Sequence, residues 1–288
     1  MQIVGGLGNQ MFQYALGKRL ALDKNVPLKL DLSWYEEHPE RPYRLNQFKI
    51  HASQASHQEI IDLTRLQTTD IYSRIYRFYQ RRLPYYYRNV IIEEKTGYDS
   101  NILQVPINAY LSGYWQNPRY FETIQSVLME EFEPIENVEE TPICHLLDKM
   151  KNSNSISLHI RRGDYVKDER NLSFHGTCSI SYYERAVAYL LEHFENLRVY
   201  VFSDEIEWAK QNLELSCPTE FISGQYSIPD YIEMQLMKAC THHIVANSSF
   251  SWWAAWLCKN TDKVVIAPQK WFTGIDLEDI VCSEWIRL

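Results

Sequence analysis

The second half of the chain alternates short apolar runs with segments whose apolar residues recur at helical spacing. Runs rich in β-branched and aromatic residues predict strands, and the helical spacing between them predicts helices. The predicted strands cover residues 155–160, 198–202, 219–222, 243–246 and 263–267, and the predicted helices cover residues 181–194, 205–213, 230–240 and 250–257. Because each parallel strand needs a crossover to the next one, this alternation predicts a doubly wound parallel sheet of five strands.

The first half is less regular and opens with a strand–loop–helix pattern. Ile3 and Val4 precede the glycine-rich residues 5–10, and apolar residues then recur at helical spacing up to Asn25. Residues 26–32 alternate between apolar and polar positions, which favours a second strand. This opening is typical of a βαβ unit, whereas the stretch that follows shows little pattern.

An acidic stretch with flanking prolines, residues 130–142, predicts a linker between the two halves. We therefore expect an α/β protein with two domains, residues 1–150 and residues 151–288.

Residues 72–88 form a basic and aromatic segment with five arginines, six tyrosines and no acidic residue. At helical spacing Tyr72, Tyr76 and Tyr79 share one face, and arginines share another. The favoured interpretation is an amphipathic helix that packs its tyrosines inward. The alternative is a surface for anionic lipid or for a lipid-linked glycan, which would place the protein peripherally at the inner face of a membrane.

Composition and charge exclude several classes of function. The chain has 288 residues, 45% of them hydrophobic, and 29 Lys and Arg against 37 Asp and Glu. The net charge of −8 gives the surface as a whole no field that would attract duplex nucleic acid. The six cysteines are widely separated, which predicts reduced thiols, and neither a signal sequence nor a stretch of about 18 apolar residues occurs. We expect a cytoplasmic protein.

Polar residues follow three of the predicted strands. His159 and Arg161 come at the end of the first strand, Asp204 follows the second, and Asn247 follows the fourth. Ligands of open parallel sheets bind beyond the carboxyl ends of the strands, so these residues should converge on one crevice. Their chemistry is that of an anion-binding site.

Arg161 is the best candidate for a phosphate ligand. Side chains alternate in direction along an extended segment, so Arg161 shares the direction of His159, and Arg162 turns towards the protein body. A guanidinium can hold two phosphate oxygens with its fixed fork of donors. The alternative is that Arg161 pairs with Asp164 only to hold the turn.

Asn247, Ser248 and Ser249 precede a very apolar predicted helix. The N-terminus of a helix carries partial positive charge and free amides, which suits a phosphate. The alternative is an ordinary serine cap, which by itself is the commoner role. The tryptophans of the helix indicate burial in a core rather than stacking on a ligand.

The glycine-rich sequence near the N-terminus matches a dinucleotide-binding loop only weakly, because Met11 occupies the position of the third glycine. The chain contains no D-x-D triplet, zinc-ligand spacing, P-loop or G-x-S-x-G sequence. Protein groups rather than a metal ion should therefore balance phosphate charge.

Together these motifs resemble those of the bacterial α-1,2-fucosyltransferases of glycosyltransferase family 11. The resemblance runs through residues 5–14, 159–165, 202–205 and 246–253, in that order, and spans almost the whole chain. It implies a GT-B fold of two Rossmann-like domains that face a central cleft. The N-terminal domain would bind a galactose-terminated or lipid-linked glycan acceptor, and the C-terminal domain would bind GDP-fucose. It further implies metal-independent, inverting transfer of fucose, with no cofactor besides the donor substrate.

The same resemblance implies roles for individual residues. Arg161 corresponds to the arginine that grips the donor diphosphate, and Glu233 to an acid that contacts the guanine edge. The residues implied in donor binding are Gly8, Asn9, His159, Arg161, Asp204, Glu233, Asn247, Ser248, Ser249 and Phe250. Gly8 and Asn9 would belong to a loop that closes on the donor from the opposite domain.

The candidates for a general base are the acids in or just after the arginine motif, Asp164, Asp168 and Glu169. Glu169 matches an acid of the core fucosyltransferases and is the expected base, whereas Asp164 is expected to orient Arg161. Two other functions stay open. One is transfer of another nucleotide sugar or formation of another linkage, and the other is a nucleotide-sugar-binding module without transfer activity.

Overall fold

The protein forms two compact units in this computed structural model, Met1–Glu133 and Pro134–Leu288. The structure describes residues 1–65, 70–94, 97–137, 143–163, 173, 176–224, 228–274 and 278–288. The division between the units comes earlier than the predicted boundary between residues 150 and 151. The reason is the helix Cys144–Lys151, which contacts the strand that follows it and so belongs to the second unit.

The first unit is built from helices and short parallel strands. Its strands are β1 (Lys29–Leu30), β2 (Ser53–Gln54), β3 (Val90–Ile92) and β4 (Tyr110–Ser112), and its α-helices are α1 (Leu7–Lys24), α2 (Trp34–Glu37), α3 (His57–Thr64), α4 (Ile71–Gln80) and α5 (Gln125–Glu131). Short 3-10 helices lie at Leu45–Gln47, Tyr85–Tyr87, Ser100–Gln104, Pro118–Tyr120 and Glu122–Ile124. Strand β1 pairs in parallel with β2, and β3 pairs in parallel with β4.

The first three residues join these two strand pairs. The Ile3 amide donates to the Asp31 carbonyl at 3.0 Å, and the Gln2 amide donates to the Leu111 carbonyl at 2.9 Å. The order across the unit is therefore β2, β1, residues 1–3, β4, β3. Helix α1 begins four residues later, so the predicted strand–loop–helix opening is confirmed, although the second strand is shorter than predicted.

The second unit is a doubly wound parallel sheet. Its strands are β5 (Asn154–Ile160), β6 (Leu197–Ser203), β7 (Thr219–Phe221), β8 (His242–Ile244), β9 (Val265–Ala267) and β10 (Ile286–Arg287). Its α-helices are α6 (Cys144–Lys151), α7 (Ile180–His193), α8 (Ile206–Asn212), α9 (Asp230–Ala239) and α10 (Ser249–Leu257), with a 3-10 helix at Glu278–Ile280. The strand order is β10-β9-β8-β5-β6-β7, and every pair is parallel.

The alternation predicted for this unit is confirmed, with one strand added. The five predicted strands and the four predicted helices are present, and their ends differ from the predicted ends by at most two residues. Strand β10 was not predicted. Its Ile286 pairs with Ile266 of β9 at the edge of the sheet, and two residues are too few to show a strand pattern.

Helix α4 contradicts the favoured interpretation of the basic and aromatic segment. Tyr72 and Tyr79 are exposed by 75% and 60% instead of being packed inward. The buried residue of this helix is Ser73, which lies on the opposite face. Within the described ranges, every helix is too short or too polar to cross a lipid bilayer.

Candidate functional site

The carboxyl ends of β5 and β6 place a cationic group beside an acidic one. Ile160 of β5 pairs with Ser203 of β6, so Arg161 and Asp204 leave the sheet side by side. The Nη1 atom of Arg161 lies 3.0 Å from the Oδ2 atom of Asp204. The Arg161 side chain is 26% exposed. A carboxylate thus holds the guanidinium while part of its surface stays accessible.

The Asp204 carboxylate also fixes the turn that follows β5. Its Oδ1 atom accepts a hydrogen bond from the Arg162 amide, and its Oδ2 atom accepts one from the Gly163 amide, each at 3.0 Å. A Cβ atom at position 163 would lie 2.7 Å from Oδ2, so this close approach requires glycine. Asp204, implied in donor binding by the sequence, therefore holds Arg161 and its turn in place.

Arg162 turns away from Arg161, in agreement with the alternation along an extended segment. Its guanidinium carbon lies 3.7 Å from the centre of the Trp208 ring, and its Nε atom lies 3.5 Å from the Glu205 carboxylate. The stacking on tryptophan and the nearby carboxylate hold Arg162 against α8. The two neighbouring arginines therefore have different surroundings.

His159 lies on β5, two residues before Arg161, and is 5% exposed. Its ring centroid is 5.7 Å from that of Phe250, in the first turn of α10. Burial lowers the pKa of His159 to about 4; the nearby Asp204 opposes this shift and Arg161 adds to it. The imidazole is therefore neutral near pH 7 and can exchange hydrogen bonds with a ligand without adding charge.

The N-terminus of α10 follows β8, which is the neighbour of β5 in the sheet. Ser248 is the N-cap residue, and its Oγ atom accepts a hydrogen bond from the Phe250 amide at 3.4 Å. Ser249 and Phe250 form the start of the first turn, which contains no acidic residue. The predicted serine cap is thus present. The first turn holds no carboxylate that would compete with a bound anion for the partial positive charge of the helix N-terminus.

The side chain of Asn247 connects loops at this edge. Its Nδ2 atom lies 3.4 Å from the Gly176 carbonyl and 3.3 Å from the Trp271 carbonyl, to which it donates. The residue is 3% exposed. In the structure Asn247 therefore supports the loops around the N-terminus of α10.

Glu233 reaches the same edge of the sheet from α9. The Oγ atom of Ser223 donates to the Glu233 carboxylate and accepts a hydrogen bond from the Ser203 amide at 2.9 Å. Burial raises the pKa of Glu233 to about 7; the bond from Ser223 opposes this shift, and the charges of Asp230 and Asp204 add to it. The sequence reasoning missed Ser223, although it follows β7 as Asp204 follows β6.

The candidate acids of the arginine motif lie outside the described residues. Asp164, Asp168 and Glu169 fall between residue 163 and residue 173, where the structure describes nothing. The expected role of Asp164 in orienting Arg161, and that of Glu169 as general base, stay predictions.

In the first unit, the glycine-rich sequence begins a helix sooner than expected. Helix α1 starts at Leu7, so Gly8 and Asn9 lie in its first turn rather than in a loop. Gly5 has a φ of +76°, a conformation that favours glycine. The Oδ1 atom of Asn9 accepts a hydrogen bond from the Gln116 side chain at 2.8 Å, which links α1 to the segment after β4.

Two fully buried glutamines of α1 fix the glycine-rich turn, and the sequence reasoning missed both. Gln10 donates to the Gly5 carbonyl at 3.0 Å. Gln13 accepts a hydrogen bond from the Val4 amide at 2.9 Å and donates to the Gly113 carbonyl at 3.1 Å. The available signal was a pair of amides three residues apart within the otherwise apolar residues 10–17, because buried amides must find partners.

The edge of the second sheet carries groups whose chemistry suits a phosphorylated ligand. Arg161 offers a fork of donors, and the N-terminus of α10 offers amides and partial positive charge. Both come from the ends of neighbouring strands, β5 and β8. Such preorganised donors stabilise negative charge that develops during a reaction.

Comparisons with known proteins connect this geometry to a family. The model of the family described as Glycosyl transferase family 11 matches residues 1–288. The chain is 36% identical to the Alpha-1,2-colitosyltransferase of Escherichia coli over 300 residues, which cover 100% of this chain and 97% of that protein. It is 32% identical to the O-antigen biosynthesis glycosyltransferase WbnK of Escherichia coli, over 99% of this chain and 98% of that protein.

A solved structure supports the fold. A variant of FUT1 from Arabidopsis thaliana in complex with GDP superimposes with a TM-score of 0.51 and 12% sequence identity, covering 92% of this chain and 68% of that one. At this identity the likeness concerns the fold alone. It confirms the α/β fold of the GT-B class that the sequence predicts.

Proposed function

Because the chain belongs to glycosyl transferase family 11, we propose that it transfers fucose or a closely related deoxyhexose from a GDP-linked donor to O2 of a terminal β-galactoside. The observation that carries this proposal is Arg161 at the carboxyl edge of the second sheet, 3.0 Å from Asp204. The neighbouring strand leads into the N-terminus of α10. The names of the relatives, an α-1,2-colitosyltransferase and an O-antigen glycosyltransferase, support the linkage and the glycan acceptor.

In the proposed reaction, the acceptor hydroxyl attacks the anomeric carbon of GDP-β-L-fucose from the face opposite GDP. The new carbon–oxygen bond forms as the bond to the β-phosphate oxygen breaks, so the product is an α-fucoside and GDP leaves. Arg161 and the amides at the start of α10 stabilise the charge on the departing diphosphate, in place of a metal ion. The hydroxyl proton passes to a general base, for which we propose Glu169, with Asp164 orienting Arg161.

Activity and metal independence are tested together by incubating the protein with GDP-fucose and a panel of β-galactosides, with and without EDTA. The expected result is release of GDP with at least one acceptor, an α-1,2 linkage in the product and no effect of EDTA. Loss of activity with EDTA would contradict charge stabilisation by protein groups alone. Binding of GDP without release from any donor–acceptor pair would favour the non-catalytic module.

The two adjacent arginines provide a matched test of the site. Arg161→Ala should lower kcat by about 100-fold or more, because loss of one preorganised donor to a developing charge costs about 2.7–4 kcal/mol. Arg162→Ala should change kcat by less than about threefold, because Arg162 packs on Trp208 instead. Thermal unfolding of both variants controls for the fold, and normal turnover by R161A would refute the role of Arg161.

The colitosyltransferase relative favours a second candidate for the donor sugar. Colitose lacks the 3-hydroxyl group of fucose. A site that hydrogen-bonds this hydroxyl would reject the deoxy donor by about 10⁴-fold in kcat/KM, whereas an apolar pocket there would not. Comparison of kcat/KM for GDP-fucose and GDP-colitose with one acceptor decides between the two donors.

A further inference from the structure

Helix α4 presents an apolar surface to solvent. Its exposed apolar side chains are Ile71, Tyr72, Ile75, Phe78 and Tyr79, with exposed fractions of 63%, 75%, 59%, 58% and 60%. At 100° per residue, these five positions fall within about 120° of the helix circumference. We call this set of five side chains the apolar arc.

The opposite, polar face of α4 makes the contacts with the rest of the unit. Ser73 is 4% exposed, and the Arg77 guanidinium donates to the Arg65 carbonyl. The Oε1 atom of Gln80 accepts a hydrogen bond from the Asn89 amide at 2.8 Å. A surface helix normally turns its apolar stripe towards the core. The reversed orientation of α4 leaves the apolar arc exposed to solvent.

Arginines border the apolar arc. Arg74 and Arg81 are exposed and lie about 40–60° from Phe78 around the helix. Arg82, also exposed, stacks on the Phe78 ring with its guanidinium carbon 4.1 Å from the ring centre. Residues 71–92 include no Asp or Glu. This surface is therefore cationic, although the net charge of the chain is −8.

We propose that the apolar arc and its bordering arginines are a docking surface for a membrane with anionic lipids. Such a membrane offers an apolar layer for the isoleucines and Phe78, an interface that tyrosines favour, and phosphate headgroups for the arginines. Charge complementarity selects this partner over a second copy of the chain, because a symmetric contact between two α4 helices would bring like-charged arginines together. The proposal does not depend on the transfer reaction.

Vesicle co-sedimentation of the full chain tests this surface. Vesicles of phosphatidylglycerol and phosphatidylcholine in equal parts should bind the protein at least about 10-fold more tightly than vesicles of phosphatidylcholine alone, and salt should weaken the binding. Arg74→Ala and Arg81→Ala should each weaken it by about fivefold, the equivalent of about 1 kcal/mol per arginine. The double variant I75Q/F78Q should weaken it by 10-fold or more, because it removes apolar side chains that enter the interface.

Ile107→Gln is the matched control, because Ile107 is 64% exposed but lies outside the helix, and it should leave binding unchanged. These positions are exposed, so circular dichroism and thermal unfolding should be as in the unsubstituted protein. Absence of binding to the anionic vesicles, or equal binding to both vesicle types, would overturn the proposal. A dimer in solution that I75Q/F78Q dissociates would overturn it too, and would assign the surface to a second copy. No donor or acceptor sugar is present, so the result is independent of the proposed function.

Discussion

At the residue scale, Asp204 shows what position along the sequence can predict and what it cannot. Its position directly after a predicted strand was enough to place it at the carboxyl edge of the second sheet. Its contacts with Arg161 and with the amides of Arg162 and Gly163 depend on the register of β5 against β6. Register is set by pairing between distant parts of the chain, so it is not visible in either strand alone.

The sequence also predicts different surroundings for the two adjacent arginines, and the structure shows this difference. Alternation along an extended backbone separates Arg161 from Arg162, and the structure places Arg162 on Trp208. Gln10 and Gln13 were missed because their partners, loop carbonyls such as those of Gly5 and Gly113, are not neighbours in a helical pattern. The hydrogen-bond partners of buried polar side chains are thus the feature that is hardest to predict without the three-dimensional structure.

Glu233 leads to a prediction on the pH dependence of GDP binding. If its carboxylate contacts the donor N–H groups of guanine, only the ionised form binds well. Because burial raises its pKa to about 7, the ionised fraction falls as the pH drops through 7. The Kd for GDP should therefore rise by about fivefold between pH 7 and pH 6 beyond any change due to GDP itself.

Isothermal titration calorimetry of wild type and Glu233→Gln separates these contributions, because GDP titrates identically in both experiments. The variant should bind GDP more weakly at pH 8 and should lack the extra pH dependence. Identical pH profiles for the two proteins would exclude Glu233 from contact with the base.

At the scale of elements, the two units differ in how far the sequence predicts them. Strands β5 and β6 are buried runs of seven residues, and helices alternate with the strands of this sheet, so periodicity identifies them. The strands of the first unit have two or three residues and alternate with irregular segments, so only its opening and the helix of the basic and aromatic segment were predicted. Regular alternation of strands with helices, rather than strand length, makes a unit predictable, because β7, β8 and β9 also have three residues each.

Helix α4 shows a different limit of pattern analysis. Helical periodicity separates an apolar face from a polar face, but it does not say which face meets the protein. The orientation of α4 follows from the contacts of Ser73, Arg77 and Gln80 with the surrounding chain. An amphipathic pattern therefore predicts a helix with two faces. Whether the apolar face packs on the core or is exposed can be read only from the structure.

Strand β10 should contribute measurably to stability despite its length. The Leu288 amide donates to the Ala267 carbonyl at 3.1 Å, the Gln269 amide donates to the Leu288 carbonyl at 2.9 Å, and Ile286 packs on the core. Deletion of residues 286–288 should lower the free energy of unfolding by about 2–4 kcal/mol, through lost apolar burial and an unpaired sheet edge. Urea denaturation measures this change, and an unchanged midpoint and slope would contradict it.

At the scale of the whole molecule, the chain separates into units with cores of their own. The core cluster of the second unit contains side chains from β5, β6, β8 and β9 together with residues of α7. A unit with a separate core can fold alone. We therefore expect residues 134–288 to fold when expressed without the first unit.

The isolated second unit provides a test of where the nucleotide binds. If the donor site lies at the edge described above, residues 134–288 should bind GDP, and GDP at 100 times its Kd should stabilise them by about 2.7 kcal/mol. Thermal unfolding with increasing GDP measures this effect, with residues 1–133 as the control that should show no shift. A folded second unit without any shift would place essential nucleotide contacts elsewhere.

Residues 1–3 lie between β1 and β4, so during protein synthesis their pairing with β4 is delayed until that strand has been made. These residues are made well before one of their partners, because Gln2 pairs with Leu111, about 110 residues later. At about 5–20 residues per second, one side of this central segment stays unpaired for about 5–20 s. The nascent first unit thus exposes the middle of its own sheet while most of it is being made, and molecular chaperones that shield unpaired edges would act in that interval.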